Sequence, residues 1–123
     1  MPQCHFEYTD NIADEPSWNE LYREIHAVLI ATGEWHSAEI KSKAVKLTNY
    51  CVGNGHPDQA FVLLTVQILA GRSDGLKKSI SESCLKILVS HFPRMLEELQ
   101  ATIAVQIVDI NASSFSRRIN HEL

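Results

Sequence analysis

No stretch of this chain approaches the roughly 18 uncharged apolar residues that a membrane-crossing helix needs, so no membrane span is expected. The amino terminus also lacks a positive region followed by an apolar core. No secretory signal is therefore expected, and the cytoplasm is the expected compartment. Basic charge is in deficit: 11 lysines and arginines stand against 15 aspartates and glutamates, a net charge of −4. That balance leaves no footprint for a nucleic-acid partner. Cysteine is scarce. Cys4, Cys51 and Cys84 are too few and too scattered for a disulfide framework. His5, His26, His36, His56, His91 and His121 show none of the close spacings of zinc ligands, so no metal is expected. Cys4 and His5 are adjacent, and on a strand they point to opposite faces.

What the chain does have is an unusual beginning. Pro2 follows Met1 directly. Its small side chain normally permits removal of the initiator methionine, and the new terminus is then a secondary amine on a rigid ring. An α-amino group titrates at about 7.7–8.0, and burial or nearby cations lower it further. A base near the working pH is what general base catalysis requires. The plainer reading of Pro2 is a stiff, protease-resistant terminus. Loss of Met1 is an assumption of the first reading.

The 123 residues, 45% hydrophobic, predict one domain spanning 1–123 with a proper core. Residues 2–9 read as a short strand that holds Pro2 at its end, and Asp10-Asn11 as a turn. Asp14-Glu15-Pro16 reads as a helix start, with Asp14 as its N-cap. Trp18, Leu21, Tyr22, Ile25, Val28 and Leu29 follow at helical spacing, and Gly33 is the natural stop. His26 falls off that stripe and is expected in solvent. Residues 38–48 alternate as a second strand. Lys41, Lys43, Val45 and Leu47 share one of its faces; Ile40, Ser42 and Ala44 share the other. The two lysines are what an exposed strand edge uses against aggregation. The loop at 49–58 then divides the chain into two similar halves, about 2–50 and 57–110.

Residues 60–70 are almost continuously apolar, which suits a strand buried on both faces. Gly71 to Asp74 ends it, with Ser73 or Asp74 capping the next helix. Arg72 thus sits at a strand-to-helix junction. It is either a surface arginine or an anion clamp beside helix N-terminal amides. Leu76, Ile80, Cys84, Ile87, Leu88, His91, Phe92, Met95 and Leu96 form the second helix's apolar face, with Cys84 a small core residue. Pro93 should kink or restart that helix. Residues 102–110 read as the last strand and 111–123 as an extended polar tail that packs on a neighbour. Each strand–helix–strand unit implies a parallel pair. Two helices cover one face of the resulting four-stranded sheet, and a symmetric oligomer is the cheapest cover for the other.

The Pro2 terminus and the two units resemble the tautomerase superfamily. Phe6-Glu7-Tyr8-Thr9-Asp10-Asn11-Ile12, Ala31-Thr32-Gly33, Ala60-Phe61-Val62 and Ala70-Gly71-Arg72-Ser73 resemble the 5-carboxymethyl-2-hydroxymuconate Δ-isomerase family more closely, along nearly the whole chain to about residue 110. The resemblance implies an α+β, tautomerase-like fold: two β-α-β units in one four-stranded mixed sheet with two helices on one face. It implies a homotrimer with active sites between subunits, keto-enol isomerisation of a polycarboxylate dienol by a freed Pro2, and no metal or organic cofactor. It also implies a place in bacterial breakdown of 4-hydroxyphenylacetate. Arg72 matches the family's Gly-Arg-Ser arginine. Lys41-Ser42-Lys43 stands where the family usually has Arg-Ser-Arg, so charge is kept and the planar fork is lost. By this resemblance Pro2 is the catalytic residue, and Arg72, Lys41 and Lys43 bind substrate. A tautomerase of different substrate preference and a non-catalytic trimeric scaffold remain alternatives. His5, near the base, either tunes it or packs.

Overall fold

The computed structural model describes residues 1–123. The elements run β1 (Gln3–Thr9), α1 (Trp18–Ala31), β2 (Lys41–Leu47), β3 (Gln59–Leu69), α2 (Asp74–His91), α3 (Pro93–Glu98) and β4 (Gln100–Ile110), with short 3₁₀ turns at Ser37–Glu39 and Ala112–Ser114. The sheet order is β2-β1-β3-β4. Each half supplies a parallel pair, β1 with β2 and β3 with β4, and the halves join through an antiparallel β1–β3 contact. The fold is thus the mixed α+β sheet that the resemblance implied. No helix is long and apolar enough to cross a membrane.

Alternation along the strands sends Cys4 and Phe6 of β1, and Ala60, Val62, Leu64, Val66 and Ile68 of β3, to the helical side. There they form one core with Leu21, Ile25 and Leu29 of α1 and Ile80, Cys84 and Leu88 of α2. Each such aliphatic side chain contributes about 1.5–3 kcal/mol on burial. Aromatic rings close one end: Phe6 lies 5.7 Å from Trp18 and 5.5 Å from Tyr22, and Trp18 lies 6.3 Å from Phe92. Gly33 follows α1 at a φ of 79°, a left-handed conformation that suits glycine, and so turns the chain out of the helix.

Within the single chain the helices cover one face of β3, and the other, expected to be covered from outside this chain, is half-buried. It includes Thr65 and Gln67, which bond to Gln106 and His5 at 2.8 and 3.1 Å. Four expectations need correction. Asp14 does not cap α1, which begins at Trp18 after Ser17. Its carboxylate instead accepts the N–H groups of Arg94 and Met95 at 3.0 and 2.8 Å, closing the start of α3. His26 is half-buried rather than solvated, 2.7 Å from the Ser42 hydroxyl, and burial lowers its pKa. The predicted strand at 38–48 loses its first residues to the 3₁₀ turn. His91, placed on an apolar face, pairs with Glu24. Pro93 restarts a helix as expected.

The Asp14 contact gives a first prediction. Asp14→Ala leaves two α3 amides without their partner and should cost about 0.5–2 kcal/mol, the range for a lost helix cap. Urea denaturation would show it as a lower midpoint at unchanged slope. An unchanged midpoint would mean that water replaces the carboxylate at no cost.

Candidate active site

Pairing with β2 and β3 fixes the start of β1, so the amino terminus is held rather than trailing. Pro2 is buried. Its carbonyl accepts the Lys41 backbone N–H at 3.1 Å, and Gln3 pairs with Lys41 in the sheet register. That bond ties the end of the chain to the start of β2.

Beside it, the 3₁₀ turn delivers Glu39, whose side chain is only 11% exposed. The carboxylate is used at both oxygens. Oε2 accepts the His36 N–H at 2.9 Å. Oε1 lies 3.8 Å from the Met1 nitrogen and 3.5 Å from an Arg117 nitrogen. The His36 N–H, the terminal amine and Arg117 hold the Glu39 pKa below the usual carboxylate value against the opposing effect of burial. Arg117 comes from the polar tail. That segment returns to its own chain's amino terminus.

These residues enclose a cavity of about 150 Å³ lined by Met1, Ala38, Glu39, Lys41, Arg117 and Arg118, with Ile119, His121 and Leu123 at its tail side. Its charged side chains are three cations against one carboxylate, in a chain of net charge −4. The terminal amine is lowered chiefly by burial. Glu39 opposes this, while Arg117, Arg72 and Lys41 add to it.

The sequence-predicted cations are treated unequally. Lys41 lines the cavity. Lys43 shares its strand face but pairs in register with His5, farther along β1, and is exposed. Arg72 does sit at the junction after Gly71, whose φ is 124°. Ser73, however, caps α2 by accepting the Leu76 N–H at 3.1 Å, so Arg72 is not needed there. The guanidinium lies 4.9 Å from the Trp35 ring centroid, 3.8 Å from a Glu34 oxygen and 3.2 Å from the Leu69 carbonyl that it donates to. Its field reaches the amine although it does not line the cavity. The Trp35 indole N–H is buried without a partner.

Sequence reasoning missed Glu39, Arg117 and Trp35. Glu39 carried one local signal: it lies three residues after His36, the spacing of a capping pair. Arg117 carried none, because a cation in a polar tail reads as solvated.

The family described as 5-carboxymethyl-2-hydroxymuconate isomerase matches residues 2–122. This chain belongs to that family. A 5-carboxymethyl-2-hydroxymuconate Delta-isomerase from Escherichia coli is 27% identical over 124 residues, covering 100% of this chain and 98% of the relative. A crystal structure of a 5-carboxymethyl-2-hydroxymuconate isomerase from Deinococcus radiodurans R1 superposes with a TM-score of 0.88 at 29% identity, covering 97% of this chain and 90% of that one. A fused 4-OT wild-type symmetric trimer shares the fold, with a TM-score of 0.72 at 13% identity over 94% of this chain and 90% of that one. The matched span includes Pro2, Arg117 and every cavity-lining residue except Met1 and Leu123.

Proposed function

We propose that the protein catalyses ketonisation of 5-carboxymethyl-2-hydroxymuconate, or of a close carboxylated dienol, with Pro2 as general base once Met1 is removed. The observation that carries this reading is that the amino-terminal end of the chain, Met1 ahead of the buried Pro2, lies at a cavity whose charged side chains are mainly cationic. Met1 itself lines that cavity, so its loss both enlarges the space and frees the proline nitrogen. In the reaction the Pro2 nitrogen takes the enol hydroxyl proton. The resulting dienolate spreads its charge between oxygen and carbon. The protonated proline then returns a proton to a conjugated carbon, giving the ketone. One proton is relocated and no electrons leave the substrate, so the step needs no redox cofactor.

Lys41 binds a substrate carboxylate at the cavity wall, and Arg72 stabilises the dienolate charge. Lys43 lies beyond the cavity of its own subunit. The half-covered second face of the sheet, where Val45 and Val108 are exposed, supports a homotrimer. So does the trimeric state of the fold relatives. With sites between subunits, Lys43 faces substrate from a neighbouring copy. The cytoplasm and 4-hydroxyphenylacetate breakdown are the setting that this substrate implies.

Ultraviolet absorbance of the dienol tests the reading. The processed protein should turn it over, with kcat/KM rising as pH climbs through an apparent pKa below the ordinary amine range of about 7.7–8.0. Deprotonation creates the base, so activity falls on the acid side. Glu39 raises the pKa of the Met1 amine against burial; acting in the same way on the freed Pro2 nitrogen, it would hold the proton on, so Glu39→Gln should move this limb to lower pH. Absence of turnover in correctly processed protein would overturn the substrate assignment. A limb that Glu39→Gln leaves in place would separate the titrating group from the amine.

A further inference from the structure

The tail contributes two cations to the cavity, Arg117 and Arg118, and Arg117 is the one that a buried carboxylate fixes. Nothing in the proton transfer itself requires this arrangement. A carboxylate as buried as Glu39 must be partnered to be tolerated. Its Oε2 is satisfied by the His36 backbone, so Oε1 is the oxygen left to act on the site. That oxygen is near the terminal amine and Arg117 together, at 3.8 and 3.5 Å. It therefore fixes the guanidinium at the amino-terminal end of the chain, next to the cavity. Glu39 is the only ion-pair partner of Arg117, whose side chain remains 37% exposed. A guanidinium has five N–H donors in a planar fork that suits a carboxylate. Most of that capacity is open to the cavity, and Lys41 lacks the fork.

We infer that Arg117 is a substrate-carboxylate ligand carried into the site by the C-terminal tail, and that Glu39 is its positioning residue. This rests on the reading of the substrate as a polycarboxylate. The tail arginine supplies planar carboxylate recognition in a chain that has lysines at Lys41 and Lys43. It makes the site selective for a substrate with one more carboxylate than the other cations of the cavity, Lys41 and Arg118, can engage. The tail from 115 to 123 is thus part of the binding wall, with Ile119 and Leu123 covering the same cavity.

The test uses unreactive probes, so it is independent of turnover. Tryptophan fluorescence of the processed, full-length protein is titrated with tricarballylate, a tricarboxylate, and with glutarate, a dicarboxylate. Wild type should bind tricarballylate about tenfold more tightly, the worth of one charge-assisted hydrogen-bonded contact. Arg117→Ala should bring the two probes to within about twofold, and Arg117→Lys should regain part of the difference. Glu39→Gln is the decisive control. By charge alone, removing an anion strengthens anion binding; by loss of positioning, it weakens tricarballylate. Weakening is expected. Asn120→Ala, a tail substitution outside the cavity lining, should change neither probe. Arg117→Ala with discrimination intact, equal binding of both probes by wild type, or binding of neither, would each overturn the assignment. An inactive wild type that still discriminates would instead sink the isomerase reading and leave Arg117 as a carboxylate ligand.

Discussion

Pro2→Ala is expected to lower kcat/KM for ketonisation by about 10²–10⁴-fold, the usual worth of a positioned general base. The variant still ends in an amine after Met1 is removed, so the comparison isolates ring and basicity rather than the presence of nitrogen. The proline ring blocks rotation about the N–Cα bond and so limits the directions the nitrogen lone pair can take. Alanine's terminus can rotate away from the substrate. The anchoring contact survives, because the carbonyl at position 2 still accepts the Lys41 N–H that is 3.1 Å away in the native protein. Fold and melting temperature should therefore change little, and circular dichroism would verify that. Intact mass must show Met1 absent from both proteins, since an acylated proline nitrogen has no basicity to lose. Full turnover in the variant would remove Pro2 from the mechanism. If wild type is correctly processed yet inert, another tautomerase substrate or a non-catalytic trimer takes precedence.

Arg72→Ala is expected to cost about 10²–10³-fold in kcat, the range for removing one donor to a developing oxyanion. Its ground-state partners are modest. The half-exposed Glu34 offers an ion pair worth about 0–1 kcal/mol. Contact with the face of the buried Trp35, by an Arg72 side chain only 22% exposed, adds about 1–2 kcal/mol. A structural role alone would thus lower stability and leave kcat near wild type. Arg72→Lys should fall between, because it keeps the field and loses the fork. A second signature is the pH profile. Arg72 is among the cations that depress the Met1 amine; acting in the same way on a freed Pro2 nitrogen, its field would be lost in Arg72→Ala and the acid limb should move upward, opposite to Glu39→Gln. Unchanged kcat together with an unmoved limb would reduce Arg72 to a prop for Trp35.

Much of this architecture is local in origin. The stripe from Trp18 to Leu29 fits one face of a helix and fits no strand, and the structure places α1 there. Gly71-Arg72-Ser73 at the end of a long apolar run sets a junction, and the run ends there. Both follow from neighbours in sequence, whose spacing fixes which side chains share a face. The errors came where the partner was remote. Asp14 has the chemistry of a cap, but sequence cannot say which helix it caps, and α3 won because the fold carries it past Arg94 and Met95. His26 read as solvated until β2 brought Ser42 against it.

The sequence by itself determined two strand–helix–strand units, a proline at the first strand's end and a cation after the third strand, because each is written in residues a few positions apart. Only the tertiary structure decided that β1 and β3 meet antiparallel, that Lys41 rather than Lys43 shares a cavity with the amino terminus, and that Glu39 and Arg117 meet there. Those outcomes depend on the register of strands and on the return of a tail from the far end of the chain. Such contacts follow from the packing of the whole domain around one core, which no local periodicity encodes.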